Sequence, residues 1–197
     1  MAKKVLHIGK YFPPHVGGME TYLHNLMDAL LALNIIPCAL VHQSKISLTS
    51  IEESFSADGA ALRVVRAATW CQLLFTPISP SFPWLLHRLI KSDQPDMLHL
   101  HLPNPSAFWA LALPSARRLP WVIHWQSDVR TQRSHWLLKL AYRVYSPLES
   151  ALLKKADKVI VSSPPYLATS QPLARISRKC AVIPLGINDR FGDQTCN

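Results

Sequence analysis

Short runs of β-branched and apolar residues alternate along this chain with longer segments in which apolar residues recur every three or four positions. This alternation is typical of a parallel sheet with helices on both faces, and it constrains the fold more than any other feature. It predicts a doubly wound α/β domain with a mainly parallel sheet. Ligands of such domains bind at the carboxyl ends of the strands, so the residues that follow each strand are the first candidates for a site.

The predicted elements follow from these two periodicities. A helix begins at about Gly18 because Met19, Tyr22, Leu26 and Leu30 recur at helical spacing. The polar segment 43–59 is predicted to be an irregular excursion between strands. The predicted strands are residues 4–9, 36–42, 61–66, 96–101, 121–126, 158–161 and 181–184, and the other predicted helices are residues 83–92, 105–113, 134–155 and 165–175.

Composition excludes several classes of protein. The 197 residues are 49% hydrophobic and 17% charged, which suits one globular domain and excludes a disordered tail. No apolar run is long enough for a membrane-spanning helix, and Lys10 interrupts the first residues before a signal-peptide core could form. The four cysteines form neither a CxxC pair nor a compact disulfide framework, so we expect a cytoplasmic protein.

The first predicted loop, residues 9–20, carries two adjacent glycines where the first helix begins. Gly17 and Gly18 allow close approach of a ligand to the backbone, and unpaired N–H groups at a helix start favour an anion. The spacing is neither GxGxxG nor GxxxxGK[ST]. From the glycine pair alone, an anion site and a simple tight turn are both open interpretations.

The loop and the following helix, KYFPPHVGGMETYLHNLMDAL (residues 10–30), resemble the opening of the family-4 glycosyltransferases of the GT-B fold. Four further segments occur in the order found in that family. They are DMLHLHLP (96–103), HWQSD (124–128), ADKVIVSS (156–163) and VIPLGIN (182–188). Five motifs in the same order make the resemblance far more specific than any one motif alone.

The resemblance implies that the chain is the Rossmann-like, amino-terminal half of a GT-B architecture. It implies sugar transfer with retention of configuration from a nucleotide sugar, the co-substrate, to a glycan or lipid-linked acceptor. No cofactor and no metal are expected. The amides of Gly17 and Gly18 would face the donor diphosphate and stabilise charge on the leaving group. Acceptor contacts are assigned to His15, His101, Asp128 and Arg143.

Three histidines of the predicted strands, His99, His101 and His124, are candidates for a site. His99 and His101 are two residues apart, so they share one face of a strand, but a zinc site needs three or four protein ligands and the sequence shows no further one nearby. They are therefore either buried histidines or residues of the cleft, and the resemblance favours the cleft for His101. In similar glycosyltransferases the histidine that matches His124 lies where donor sugar and acceptor meet, so His124 is our candidate catalytic residue. Asp128 would bind an acceptor hydroxyl or cap the next helix.

The net charge of +9 is concentrated in one region. Residues 115–155 hold eight basic and two acidic side chains, a net charge of +6. Three interpretations compete: a solvated helix face, attraction to an anionic membrane surface by an enzyme with a lipid-linked acceptor, and nucleic-acid binding. No nucleic-acid-binding module is recognisable, so nucleic acid is not expected as a partner.

The family's second domain, which carries most donor contacts, does not follow the VIPLGIN segment. We therefore expect residues 1–188 to form the acceptor-side domain and residues 189–197 to be the start of a missing or separate donor-binding domain. The leading hypothesis is half of a retaining glycosyltransferase, incomplete alone. The alternatives are a glycan-binding or lipid-linked-acceptor-binding module without catalysis and, more remotely, a metal-dependent hydrolase that uses His99, His101 and Asp128.

Overall fold

The structure is a computed structural model that describes residues 2–57, 60–73, 76–129 and 136–186. Eight described strands form one sheet in the order β10-β9-β8-β7-β1-β2-β4-β3, and β5 and β6 form a separate hairpin. The strands are β1 (Lys3–Ile8), β2 (Ile35–His42), β3 (Ile51–Ala57), β4 (Ala60–Ala67), β5 (Cys71–Leu73), β6 (Thr76–Ile78), β7 (Met97–Leu102), β8 (Trp121–Trp125), β9 (Lys158–Val161) and β10 (Cys180–Val182).

All seven predicted strands are present, and every neighbouring pair among them is parallel. The prediction of a doubly wound, mainly parallel α/β domain is confirmed. The expected irregular excursion over residues 43–59 is wrong in part, because β3 lies within it and pairs antiparallel with β4. Because β3 lies at the edge of the sheet, where solvent reaches it, its side chains can be polar. Its Glu52 and Glu53 accept hydrogen bonds of 2.6 Å from Arg63 and Arg66 of β4, respectively.

The helices connect the strands along the chain and pack on the two faces of the sheet. They are α1 (Gly18–Ala32), α2 (Phe82–Asp93), α3 (Trp109–Ala112), α4 (Pro114–Arg117), α5 (Trp136–Lys155), α6 (Pro164–Thr169) and α7 (Gln171–Ala174). The predicted helix 105–113 is instead a 3₁₀ turn, Pro105–Phe108, followed by α3, and Leu113 is extended because Pro114 follows it. The predicted helix 165–175 is broken at the extended Ser170. Among the described residues, no helix has both the length and the apolar character that crossing a bilayer requires.

Alternation along the strands gives the sheet two different faces. The face that we call the apolar face packs against α2, α3, α4, α5 and α7. The opposite face, which we call the α1 face, packs against Leu23 and Met27 of α1. The apolar face presents Leu6, Ile8, Leu40, Leu98, Leu100, Leu102, Trp121, Ile123, Trp125, Val159 and Val161. The α1 face presents His7, Ala39, Val41, Leu62, Val64, His99, His101 and His124.

Candidate active site

A cavity of about 330 Å³ lies at the carboxyl ends of the central strands, where the fold predicts a ligand. Lys10, Pro103 and Val129 enter it from the segments that follow β1, β7 and β8. The hairpin β5–β6 and helix α5 complete its wall. Apart from Lys10 and the hydroxyl of Thr76, the lining is apolar or phenolic. The other lining residues are Leu73, Ile78, Pro105, Ala141, Tyr142 and Tyr145.

Lys10 is the cation of this cavity. Burial lowers the pKa of its ammonium group, and the negative charge of Glu20 opposes that change. Its Nζ lies 5.3 Å from the centre of the Tyr11 ring. A half-buried ammonium group at the end of a strand can attract an anionic ligand, and sequence reasoning did not single it out. The rule that ligands bind just after the strands would have been enough to find it.

The loop between β1 and α1 is anchored from the sheet and from the helix. Arg66 of β4 donates to the carbonyl oxygens of Phe12 and Pro13. Gly17 is the N-cap of α1 and its carbonyl accepts the first helical hydrogen bond, from the amide of Thr21, at 3.0 Å. Helix α1 begins at Gly18, as the sequence predicts.

The two glycines of this loop have different surroundings. A Cβ atom on Gly17 would lie 2.2 Å from Oε2 of Glu20, so the carboxylate of Glu20 folds back over Gly17. The backbone of Gly17 is extended, a conformation open to any residue, so a larger side chain there would have to displace only the flexible carboxylate of Glu20. A Cβ atom on Gly18 would meet nothing within 4 Å. Gly18 is therefore the more open of the two positions for a ligand.

His15 and Arg143, both predicted to contact an acceptor, are exposed. The His15 ring lies 4.4 Å from the ring of Tyr11, whose hydroxyl accepts a hydrogen bond of 3.2 Å from Gln72 of the hairpin. Arg143 lies on α5, beside the cavity-lining Tyr142. Neither His15 nor Arg143 lines the cavity, and His15 contacts the hairpin only through Tyr11.

Four histidine rings lie together on the α1 face. His7 of β1 is the parallel neighbour of His99 in β7, and His101 of β7 is the neighbour of His124 in β8. The ring centres of His99 and His101 are 4.5 Å apart, and that of His7 is 5.0 Å from His99. The sequence correctly places His99 and His101 on one face. It missed His7, because the register between β1 and β7 cannot be read from the sequence.

All four imidazoles are neutral at physiological pH. Burial lowers the pKa of His7 to about 3 and that of His124 to about 4. Burial also lowers the pKa values of His99 and His101 well below the ordinary value, and the neighbouring histidines lower them further. A neutral imidazole offers one N–H donor and one nitrogen lone pair.

His124, the candidate catalytic residue, lies beneath α1. The centre of the Tyr22 ring is 4.3 Å from that of His124 and 6.4 Å from that of His101. His124 is 0% exposed and neither ring nitrogen has a partner among the described residues. His101 is 2% exposed. Both histidines are at the carboxyl ends of their strands, and Tyr22 stands between them and the surface.

Asp128 is engaged within the chain. Its Oδ1 accepts hydrogen bonds of 2.8 Å from Nε1 of Trp125, from the hydroxyl of Tyr166 and from the hydroxyl of Ser170. These contacts attach the segment after β8 to α6 and to the start of α7. Residues 130–135, which precede α5 and include the basic Arg130 and Arg133, lie outside the described residues.

Glu149 of α5 is a buried carboxyl group behind the cavity wall. Its Oε1 accepts a hydrogen bond of 3.3 Å from the hydroxyl of Tyr142, and its Oε2 has no partner among the described residues. Burial raises the pKa of Glu149 to about 7, and the charge of Asp128 contributes to that change, while the hydrogen bond from Tyr142 opposes it. Sequence reasoning counted Glu149 only among the charges of the basic region, since the sequence does not reveal its burial.

The hydrolase site considered from the sequence is not formed. The group of potential metal ligands that lies together in the described part of the chain is His7, His99 and His101, and Asp128 is not in it. The three hydrogen bonds to Oδ1 of Asp128 already use that oxygen within the chain. The combination of His99, His101 and Asp128 is therefore wrong.

Comparison with known proteins is consistent across sequence and fold. O-antigen chain mannosyltransferase C of Escherichia coli is 29% identical over 189 residues, which are 93% of this chain and 46% of that protein. D-rhamnosyltransferase WbpZ of Pseudomonas aeruginosa is 28% identical over 186 residues, which are 94% of this chain and 45% of that protein. The chain thus spans about half the length of the curated relatives it matches.

A solved structure of sucrose-phosphate synthase from Thermosynechococcus elongatus has the same fold. The TM-score is 0.61 at 16% identity, and the similarity covers 94% of this chain and 91% of that one. The sequence model described as Glycosyltransferase Family 4 matches residues 16–191. The chain therefore belongs to Glycosyltransferase Family 4, and its fold is the Rossmann-like amino-terminal domain of that family.

Proposed function

We propose that this chain is the acceptor-side half of a retaining glycosyltransferase, which transfers a sugar from a nucleotide sugar to a glycan or lipid-linked acceptor. The observation that carries the proposal is the cavity at the carboxyl ends of β1, β7 and β8, next to the loop that leads into α1. That loop supplies the half-buried ammonium group of Lys10 and the open space beside the Cα atom of Gly18. Both favour an anion such as the donor diphosphate.

The names of the relatives support the class of substrates. One is a mannosyltransferase of an O-antigen chain and the other is a rhamnosyltransferase. Both names describe transfer of a hexose or deoxyhexose, and the first names a polysaccharide as the molecule that is built. A glycan chain is therefore our preferred acceptor. Such work on an activated sugar fits the cytoplasmic location expected from the sequence.

Each site residue has a role in this proposal. The amides of Gly17 and Gly18 stabilise the diphosphate leaving group, and His124 contacts the sugar at the junction of donor and acceptor. His15, His101, Asp128 and Arg143 are the acceptor contacts. Because Tyr22 covers His124 and His101, acceptor access to them requires the Tyr22 side chain to turn away. Asp128 acts on the acceptor through its second carboxylate oxygen, since Oδ1 is occupied.

The proposal includes a donor-binding domain, supplied by a further segment or by a separate chain, because the relatives are about twice as long as the matched region. The test fuses this chain to the part of the Escherichia coli relative that it does not match. The fusion and the chain alone are incubated with labelled nucleotide sugars and glycan acceptors. We expect transfer by the fusion, with retention established by NMR of the product, and none by the chain alone.

The intact Escherichia coli relative is the positive control for the assay. In the fusion, Gly18→Val should reduce transfer at least tenfold, because the side chain enters space that the structure leaves open to a ligand. Thr21→Val, which changes an exposed side chain in the same turn of α1, is the matched control. Acceptor binding by the chain, with no transfer by any fusion, would favour the binding-module hypothesis. Equal transfer by Gly18→Val and the native fusion would contradict the diphosphate role.

A second part of the proposal concerns an anionic membrane surface. Helix α5 exposes an apolar stripe, Leu137, Leu140, Val144 and Leu148, beside the exposed Lys139 and Arg143. The spacing of three, four and four residues places the stripe on one side of the helix. Apolar residues flanked by cations are typical of helices that lie in the interface of an anionic bilayer.

Vesicle flotation tests the membrane part separately. The chain should float with phosphatidylglycerol vesicles and should not float with phosphatidylcholine vesicles. Leu140→Glu should abolish flotation, because it places a negative charge within the apolar stripe, and the anionic vesicle surface repels that charge. Leu33→Glu, at an exposed leucine that ends α1, is the control and should float like the native chain. Equal recovery with both kinds of vesicle would contradict electrostatic binding.

A further inference from the structure

His7, His99 and His101 bring three imidazoles together within the interior of the domain. We propose that these residues form a buried site for a late divalent transition metal ion, such as Zn²⁺, that links β1 to β7. The sequence expectation of no metal rested on the family resemblance and on the isolation of the pair His99 and His101. The fold adds the third imidazole that such a site requires.

The convergence is built by the sheet itself. His7 and His99 are register partners on adjacent parallel strands, and His101 follows His99 on the same face. One potential ligand nitrogen from each residue lies within 4.8 Å of the others. Nδ1 of His7 and Nε2 of His101 are 3.2 Å apart. Metal–nitrogen bonds of about 2.0–2.1 Å in a tetrahedral site place ligand nitrogens roughly 3.3 Å apart, so this pair already has the required spacing.

Several nitrogens of the group lack partners. Nε2 of His7, Nε2 of His99 and Nδ1 of His101 are buried and have no hydrogen-bond partner among the described residues. Buried polar atoms are normally satisfied, and each exception calls for an explanation. A metal ion bound by Nε2 of His99 would satisfy that atom, whereas Nε2 of His7 and Nδ1 of His101 would be the N–H sides of rings that bind the ion through their other nitrogens.

The chemistry of the ligands selects the metal. The group holds imidazoles and neither carboxylate nor thiolate among the described residues. Mg²⁺ and Ca²⁺ prefer oxygen ligands, whereas Zn²⁺, Co²⁺, Ni²⁺ and Cu²⁺ bind imidazole well. The three residues are at most 6% exposed, so the ion would be enclosed, held by three imidazoles with a fourth position left for a water molecule. An enclosed site is loaded as the protein folds.

The test measures metal binding and does not depend on sugar transfer. The full chain is unfolded and refolded with a chelator, and a second sample is refolded with one equivalent of Zn²⁺ or Co²⁺. We expect one bound ion per chain after dialysis, a rise in Tm of several degrees with Zn²⁺, and the visible absorption of tetrahedral Co²⁺. X-ray absorption should show a shell of nitrogen ligands at about 2.0 Å, of which at least three come from imidazole.

Variants assign the ion to this group. His99→Asn should lose the bound ion and the rise in Tm, and His7→Asn provides the same test from the neighbouring strand. His42→Asn is the matched buried control, since His42 lies on β2, and its Nε2 is hydrogen bonded at 2.8 Å to the hydroxyl of Ser106. His24→Asn is the control nearer the surface, because His24 and Asp28 form a partly exposed pair that could bind an ion adventitiously.

The native chain keeps the proposal falsifiable even if a variant does not fold. Less than 0.1 equivalent of retained metal, with no change in Tm, would overturn it. Retention that is lost in His24→Asn and kept in His99→Asn would also overturn it, since the ion would then be on the surface. Failure of the sugar-transfer test leaves this result unaffected, because none of the measurements uses a sugar.

Discussion

The two faces of the sheet are built from the same strands but differ in almost every physical respect. On the apolar face, leucine, isoleucine, valine and tryptophan pack against five helices. On the α1 face, four neutral histidines lie over β1, β7 and β8, with several nitrogens unpartnered. Close packing of apolar side chains stabilises a fold, whereas unpartnered polar atoms destabilise it. The apolar face thus holds the larger part of the packed core, and the α1 face holds most of the buried histidines.

The largest effect is expected when a substitution removes a large side chain from the apolar face and leaves a cavity there. Trp121→Ala should lower the free energy of unfolding by about 3–5 kcal/mol, because a fully buried indole is lost. The change also removes the 2.8 Å hydrogen bond from Nε1 of Trp121 to the carbonyl oxygen of Ala116. Urea denaturation gives the value. Trp84→Ala, at an exposed tryptophan of α2, is the control and should cost less than 1 kcal/mol.

A second prediction concerns Glu149, the buried carboxyl group on the helix that packs against the apolar face. Its pKa is raised from 4.5 to about 7 in the folded chain. Above pH 4.5 the unfolded chain releases this proton while the folded chain keeps it, so this group's contribution to stability falls until about pH 7. The total loss is about 3 kcal/mol.

Glu149→Gln should therefore match the native chain at pH 4 and exceed it increasingly between pH 5 and pH 7. Glutamine keeps an oxygen that accepts the hydrogen bond from Tyr142, so the comparison isolates the charge. Denaturation of both chains at each pH measures the difference. A difference that does not change with pH would contradict the raised pKa.

On the α1 face the expected sign is reversed. His124→Leu should raise the free energy of unfolding of the metal-free chain by about 1 kcal/mol, because two buried nitrogens without described partners are replaced by an apolar side chain. In the fusion described above, the same change should reduce sugar transfer. A gain of stability with a loss of transfer would identify a residue kept for function. A loss of stability would show that His124 has a partner that stabilises it.

The smallest effect is expected at the start of α1. Gly18→Ala should raise stability by about 0.5 kcal/mol, because alanine favours the helix and the new methyl group meets no atom. Gly17→Ala should lower stability relative to Gly18→Ala, since the carboxylate of Glu20 must move. Thermal denaturation of the two variants measures the difference. Equal stabilities of the two variants would mean that the Glu20 carboxylate can move away from residue 17 without lowering the free energy of unfolding.

The parts of the fold that repeat locally were predictable from the sequence. Apolar runs such as residues 121–126 give strands whose pairing is parallel because helices separate them, and the spacing of Tyr22 and Leu26 gives α1. The shared face of His99 and His101 follows from the period of a strand. The start of α1 at Gly18 follows from the glycine pair.

The remainder depends on contacts between distant segments. His7 joins His99 and His101 only through the register of β1 against β7, and Asp128 meets Tyr166 and Ser170 across about 40 residues of chain. From the sequence, Glu149 is indistinguishable from a surface charge, and only the packing of α5 in the structure shows that it is buried. The edge strand β3 was missed because its sequence is polar and lacks the apolar pattern of a buried strand, as an edge strand that pairs on one side only allows.

The ion pairs of β3 also disfavour pairing of this edge strand with a strand of another molecule. An edge strand offers unpaired backbone groups to any other β-strand, and charged side chains are one way to prevent such pairing. Here Arg63 and Arg66 of the inner neighbour β4 pair with Glu52 and Glu53 of β3, whose carboxylates stay partly exposed, so a strand that approached β3 would have to desolvate charges before it could form a hydrogen bond. At the opposite edge, β10 is three residues long. In the part of the sheet that the structure describes, both edge strands thus have features that disfavour edge-to-edge aggregation.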